Sequence, residues 1–146
     1  MSVSRDISAF KLDTEIGLDR FVRAVTLEFF SRVVLRTPVG NPDLWETSSA
    51  GPGYVGGRLR GNWQASVKSP VSGVVDTKDA DGSATNGKIR SSIGGAGEVS
   101  FLTNNLPYVY RIEMERWSRK QAPKGMVRVS LAEINQILRR QLDAIR

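Results

Sequence analysis

Four stretches carry residues whose types could do chemistry, and none keeps the spacing that the chemistry needs. Asp76, Asp79 and Asp81 precede Gly82, as acidic ligands precede the glycine of a calcium loop. Aligned on that glycine, the first ligand position falls on Thr77 and the last, where glutamate is required, on Lys88. The cluster reads instead as the solvated tip of a hairpin. Gly82-Ser-Ala-Thr-Asn-Gly87-Lys88 approaches a phosphate-binding loop, but Ile89 stands where a hydroxyl should meet magnesium. Gly51-Pro-Gly53-Tyr-Val-Gly56 spells a dinucleotide fingerprint, yet a loop rich in Pro, Ser and Thr precedes it in place of a strand. Glu113 and Glu115, the close glutamate pair of a predicted helix, point to different sides at i, i+2.

The residue inventory narrows the chemistry further. The chain has no cysteine and no histidine. Disulfides, thiolate nucleophiles and Cys-based zinc sites are therefore excluded, and so is the commonest general base. No catalytic, cofactor or metal residue is assigned, and the chain is expected not to be an enzyme. Its 146 residues, 40 % hydrophobic and 25 % charged, suit one folded domain spanning residues 1–146. No apolar run is long enough to span a bilayer. The polar start, Met1-Ser-Val-Ser-Arg-Asp, is unlike a secretory signal, which places synthesis in a cytoplasm. Of the net charge of +6, most lies in the last quarter, where Arg111–Arg146 holds nine Lys and Arg against four Asp and Glu. Such a basic segment suits an acidic partner, a nucleic acid or a solvated helix face.

The elements that would position these residues can be read from periodicity. Leu18, Phe21, Val22, Val25, Phe29 and Val33 recur at helical steps and predict a helix over Thr14–Leu35. Asp13 or Thr14 would cap it, and Thr37-Pro38 would stop it. Phe30, Val34 and Leu35 widen its apolar face, which implies cover on two sides. Thr37–Gly57, with three prolines and five glycines, is a long loop with Trp45 and Tyr54 as anchors. Arg58–Asn62 forms a short turn, and Trp63–Val67 and Glu98–Thr103 are strands. Ser69–Gly97 reads as a β-hairpin whose tip, Asp79–Gly87, is mobile. Both long segments are expected to order only in an assembly, since fixing backbone costs about 1–2 kcal/mol per residue. Pro107–Met114 is a short helix. Pro123–Ile145 is a helix with the stripe Val127, Leu131, Ile134, Leu138, Leu142 and Ile145, although Met126–Leu131 also alternates as a strand would. The fold class is α+β: a small, mostly antiparallel sheet flanked by a long N-terminal helix, a short helix and a C-terminal helix.

Three stretches, taken in order, carry a family resemblance. They are Arg36-Thr-Pro-Val-Gly40, then Gly57-Arg-Leu-Arg-Gly-Asn-Trp-Gln-Ala-Ser66, then Tyr108-Val-Tyr-Arg-Ile-Glu113 with Gln121-Ala-Pro-Lys-Gly-Met126. This set resembles the tail-completion, or neck, proteins of tailed bacteriophages over about Thr14–Ile145. The usual short Val-Asp-Thr-Gly link is replaced by the longer Val39–Gly57 loop, and Arg116-Trp117 stands in place of Tyr-Gly. The resemblance implies a structural virion protein. It would form a homo-oligomeric ring, expected to be hexameric, at the head-proximal end of the tail. There it would terminate the tail tube and join it to the head-completion (connector) protein, with genomic DNA passing through the lumen without sequence-specific binding. Its partners would be other copies, the connector and the tail tube protein, with no membrane. Assembly would take place in the host cytoplasm and the product would reside in the virion neck. The signature residues would be Thr37, Pro38, Gly57, Arg58, Leu59, Trp63, Tyr108, Glu113, Gln121, Pro123, Gly125 and Met126, structural or at an interface. Trp63, Tyr108 and Leu59 are expected in the core or packed on turns, and Gly57, Gly61 and Gly125 in tight turns. The competing reading is a basic nucleic-acid-binding module without catalytic activity.

Overall fold

The computed structural model describes residues 3–45 and 50–145, with the side chains of all of these except 3, 4 and 8–12. The fold is α+β. Helix α1 spans Val3–Arg36 and helix α2 spans Arg58–Gly61. Strand β1 is Gln64–Val67, α3 is Ser83–Ser92 and β2 is Ser100–Thr103. Helices α4 (Val109–Met114), α5 (Val127–Ala132) and α6 (Ile134–Ala144) complete the order. The strands pair antiparallel, with Gln64 opposite Thr103 and Val67 opposite Ser100. Phe30, Val33 and Val34 of α1 pack with Leu59, Trp63, Ile89, Ile112 and Met126 in one apolar cluster. The widened face of α1 is thus covered by α3 and by the C-terminal helices α5 and α6, although Leu35 remains exposed.

Helix α1 begins well before the expected cap. Asp13 and Thr14 lie inside it, because no glycine or proline interrupts the chain between Val3 and Gly17. Its stop is as expected: Thr37 ends the helix before Pro38, and the Thr37 N–H still reaches the Val34 carbonyl at 3.1 Å.

The segment Ser69–Gly97 is not a hairpin. It contains α3, whose Thr85 and Ile89 are buried, with Ile93 buried just beyond it. The expectation that it orders only in an assembly is therefore corrected, because these side chains dock it onto its own core. Nor is Asp79 solvated. It is buried, and its carboxylate accepts the N–H groups of Gly82 at 3.0 Å and Thr85 at 2.7 Å, capping α3. In the Thr37–Gly57 loop, Pro42–Leu44 forms a 3-10 turn and Trp45 meets Tyr54 edge-on at 5.2 Å, as the anchors should. Residues 46–49 of that loop lie outside the described residues.

The C-terminal helix is two helices. It starts at Val127, so Pro123 sits in the preceding turn, and it breaks at Glu133. Arg32 and Arg36 of α1 both pair with the Glu133 carboxylate, and Arg36 also donates to the Ser130 hydroxyl. The break changes which face of α6 is buried. Ile137 is fully enclosed, whereas Leu131, Leu138, Leu142 and Ile145 of the expected core stripe are exposed.

Candidate functional site

The signature residues, scattered from Thr37 to Met126, come together in two bonded clusters beside one groove. The first cluster closes the end of α1. Proline cannot continue the helix, so its last carbonyls lack helical partners. Arg60, just inside α2, supplies them: its guanidinium donates to the Thr37 carbonyl at 2.8 Å and to the Leu35 carbonyl at 3.0 Å, and also to Ala80. The Thr37 hydroxyl donates to the Val33 carbonyl and accepts the Trp63 indole N–H, both at 2.7 Å. One buried threonine therefore ties the end of α1 to the start of the sheet.

Glycines let the backbones meet. Gly57 has φ +106° and its carbonyl accepts the N–H groups of Gly61 and Asp79. A Cβ on Gly61 would run into the Thr77 carbonyl oxygen. Buried Asn62 spans the same junction, donating to the Arg58 carbonyl and accepting the Val75 N–H. Sequence reading does not single out Arg60 or Asn62, and it places Asp79 at a solvated tip and not at a helix cap. Arg60 and Asn62 lie within the Gly57–Ser66 stretch and could have been flagged with their neighbours, whereas Asp79 has partners only once α3 exists.

The second cluster starts α5. The Glu113 carboxylate accepts the backbone N–H groups of Met126 at 2.6 Å, Val127 at 2.9 Å and Arg128 at 2.9 Å. Gly125, at φ +85°, brings this turn against the Glu113 carbonyl, leaving no room for a side chain. Burial pushes the Glu113 carboxyl up, but the three N–H groups and the Arg128 guanidinium outweigh it, so its pKa falls below the ordinary range. A depressed carboxylate contributes stability that is complete above its unfolded value, about 4.3, and is lost as pH falls through the folded value. Glu113→Gln should therefore cost about 2 kcal/mol at neutral pH. Its deficit against the parent should shrink in urea melts taken below about pH 4.

Beside both clusters lies an open groove of about 720 Å³. Pro38 and Gly57 border it with Leu59 and Tyr108, and the aromatic side is completed by Trp45, Tyr54 and Trp117. Gln121 fixes one wall by clamping Val39, accepting its N–H and donating to its carbonyl, both at 2.9 Å. Burial raises the Tyr108 pKa, which keeps its hydroxyl protonated. Among the described residues the charged lining is one-sided: Arg58, Arg116, Arg119 and Lys120, all exposed, stand against the one carboxylate Glu115. Of the signature residues, Glu113, Gly125 and Met126 belong to the α5 turn, Trp63 is buried behind the groove, and Pro123 is exposed.

Among the described residues, no group of three or more His, Cys, Asp or Glu is placed to hold a metal ion. No described helix is long and apolar enough to cross a membrane. No protein-family model, curated protein or solved structure matches the chain.

Proposed function

We propose that this chain is a ring-forming structural subunit of a phage neck. It would sit at the head-proximal end of the tail, between the tail tube and the connector. The observation that carries this reading is the pair of dissimilar open surfaces at the two ends of α1. At the C-terminal end, residues of all three signature stretches meet around the basic aromatic groove. At the other end, residues 5–7, 13–16 and 18 are exposed. Two unlike surfaces on one subunit favour a heterologous contact, the kind that closes cyclic rings. Immunogold labelling of tailed particles carrying a tagged copy tests the placement. Label at the head–tail joint is expected; label at the tail tip, or none on the particle, contradicts it.

The basic groove and C-terminal quarter also bear on nucleic acid. As a neck subunit the chain should bind duplex DNA weakly, losing at least tenfold in affinity between low and physiological salt. Tight, sequence-preferring binding at physiological salt would favour the nucleic-acid module instead.

A further inference from the structure

Gly17 sits mid-helix in α1, where glycine weakens the helix relative to alanine. Among the described residues nothing lies within 4 Å of where its Cβ would be, so none of them requires the gap. A glycine on a helix face lets another surface come close to the backbone. Asp13, Ile16 and Arg20 share that face by helical spacing, and all three are exposed.

We infer that the Asp13–Arg20 face of one copy docks into the basic aromatic groove of the next. This contact rests on the ring-subunit reading and specifies how neighbouring copies meet. The complementarity is chemical: the groove cations meet Asp13, the groove carboxylate Glu115 meets Arg20, and Ile16 meets the aromatic side. Gly17 removes the side chain that would hold the two surfaces apart. Asp13 and the groove end of α1 are separated by about 35 Å of straight helix, so one copy cannot satisfy its own groove. Each copy then offers one face and one groove, and the contact repeats from copy to copy. Single-stranded nucleic acid fits less well, because stacking needs free ring faces. Trp45 already meets Tyr54 edge-on, and the Arg111 guanidinium covers Trp117 at 4.7 Å.

The absence of native cysteine allows a direct test. A chain carrying Asp13→Cys and Lys120→Cys, oxidised mildly at high protein concentration, should give a ladder of disulfide-bridged multimers that ends in a closed species. Bridging should exceed that of an Asp13→Cys/Lys88→Cys control, whose second cysteine lies on α3, by at least tenfold. Adding Gly17→Gln should reduce bridging tenfold or more while raising the melting temperature, since Gln favours helix over Gly. Bridging no greater than the control, or unchanged by Gly17→Gln, overturns the contact. If light scattering then still shows a closed oligomer, the ring reading stands without it. An open-ended ladder with no closed species keeps the contact and overturns the ring. Loss of bridging on adding an oligo-dT strand at physiological salt would assign the groove to nucleic acid and overturn the contact.

Discussion

Replacing Gly57 with alanine should destabilise the chain by about 3–5 kcal/mol, a large fraction of a typical domain's stability. Two separate costs meet at this position. The backbone lies at φ +106°, a conformation that an L-residue adopts only under strain, costing about 1–2 kcal/mol. The added Cβ would also sit 2.7 Å from the Asp79 nitrogen and 2.8 Å from the Ala80 nitrogen. Both are backbone atoms, so no side-chain rotation relieves the clash. Moving the Asp79 segment away would break its N–H bond to the Gly57 carbonyl and draw the Asp79 carboxylate off the start of α3. Gly87→Ala is the control, because this exposed helical glycine has open space at its Cβ. That change should stabilise α3 by about 0.5–1 kcal/mol. Urea denaturation compares them: a Gly57→Ala variant as stable as Gly87→Ala would contradict the close packing of residues 57 and 79.

Trp63→Ala should cost a similar amount, about 3–5 kcal/mol, from lost burial and the cavity left behind. The ring is 7 % exposed and belongs to the main apolar cluster. Trp63→Phe separates packing from hydrogen bonding, since it keeps much of the apolar volume and removes the indole N–H. The Thr37 hydroxyl keeps its own bond to the Val33 carbonyl, so the polar part of that loss should be only about 1 kcal/mol. Thr37→Val is the harsher partner change, because it leaves the buried indole N–H without its acceptor, at about 1–3 kcal/mol. The double variant should cost less than the sum of the two by about 1 kcal/mol. Strict additivity would mean that the Trp63–Thr37 bond does not couple α1 to the sheet.

Much of the fold was legible because its signals are local. The α1 stripe, the Thr37-Pro38 stop, both strands and α4 follow from spacing and breakers alone. What was not legible depends on partners distant in the chain. The α3 sequence, Ser-Ala-Thr-Asn-Gly-Lys-Ile-Arg-Ser-Ser, contains few strong helix formers. It becomes a helix because Asp79 and Asp81 accept the N–H groups at its start and Ile89 is buried against the rest of the chain. A run of Asp, Gly and Ser looks alike whether it turns a hairpin or caps a helix. The break at Glu133 carries no glycine or proline; two arginines more than ninety residues upstream hold that carboxylate. Consequently Ile137, and not the more regular leucine stripe, turns inward on α6. At the groove, the signature residues were visible as a set. Their convergence with Trp45, Tyr54 and the basic Arg116–Lys120 stretch needed the folded chain.

The central claim, that this chain is a ring subunit of a phage neck, is tested most directly by electron cryomicroscopy of assembled particles at the head–tail joint. The account predicts a closed cyclic layer of this chain, hexameric and stacked on the end of the tail tube, with α1 of each copy reaching its neighbour. Single copies at the joint, an open helical array, or a layer made of another protein would contradict it.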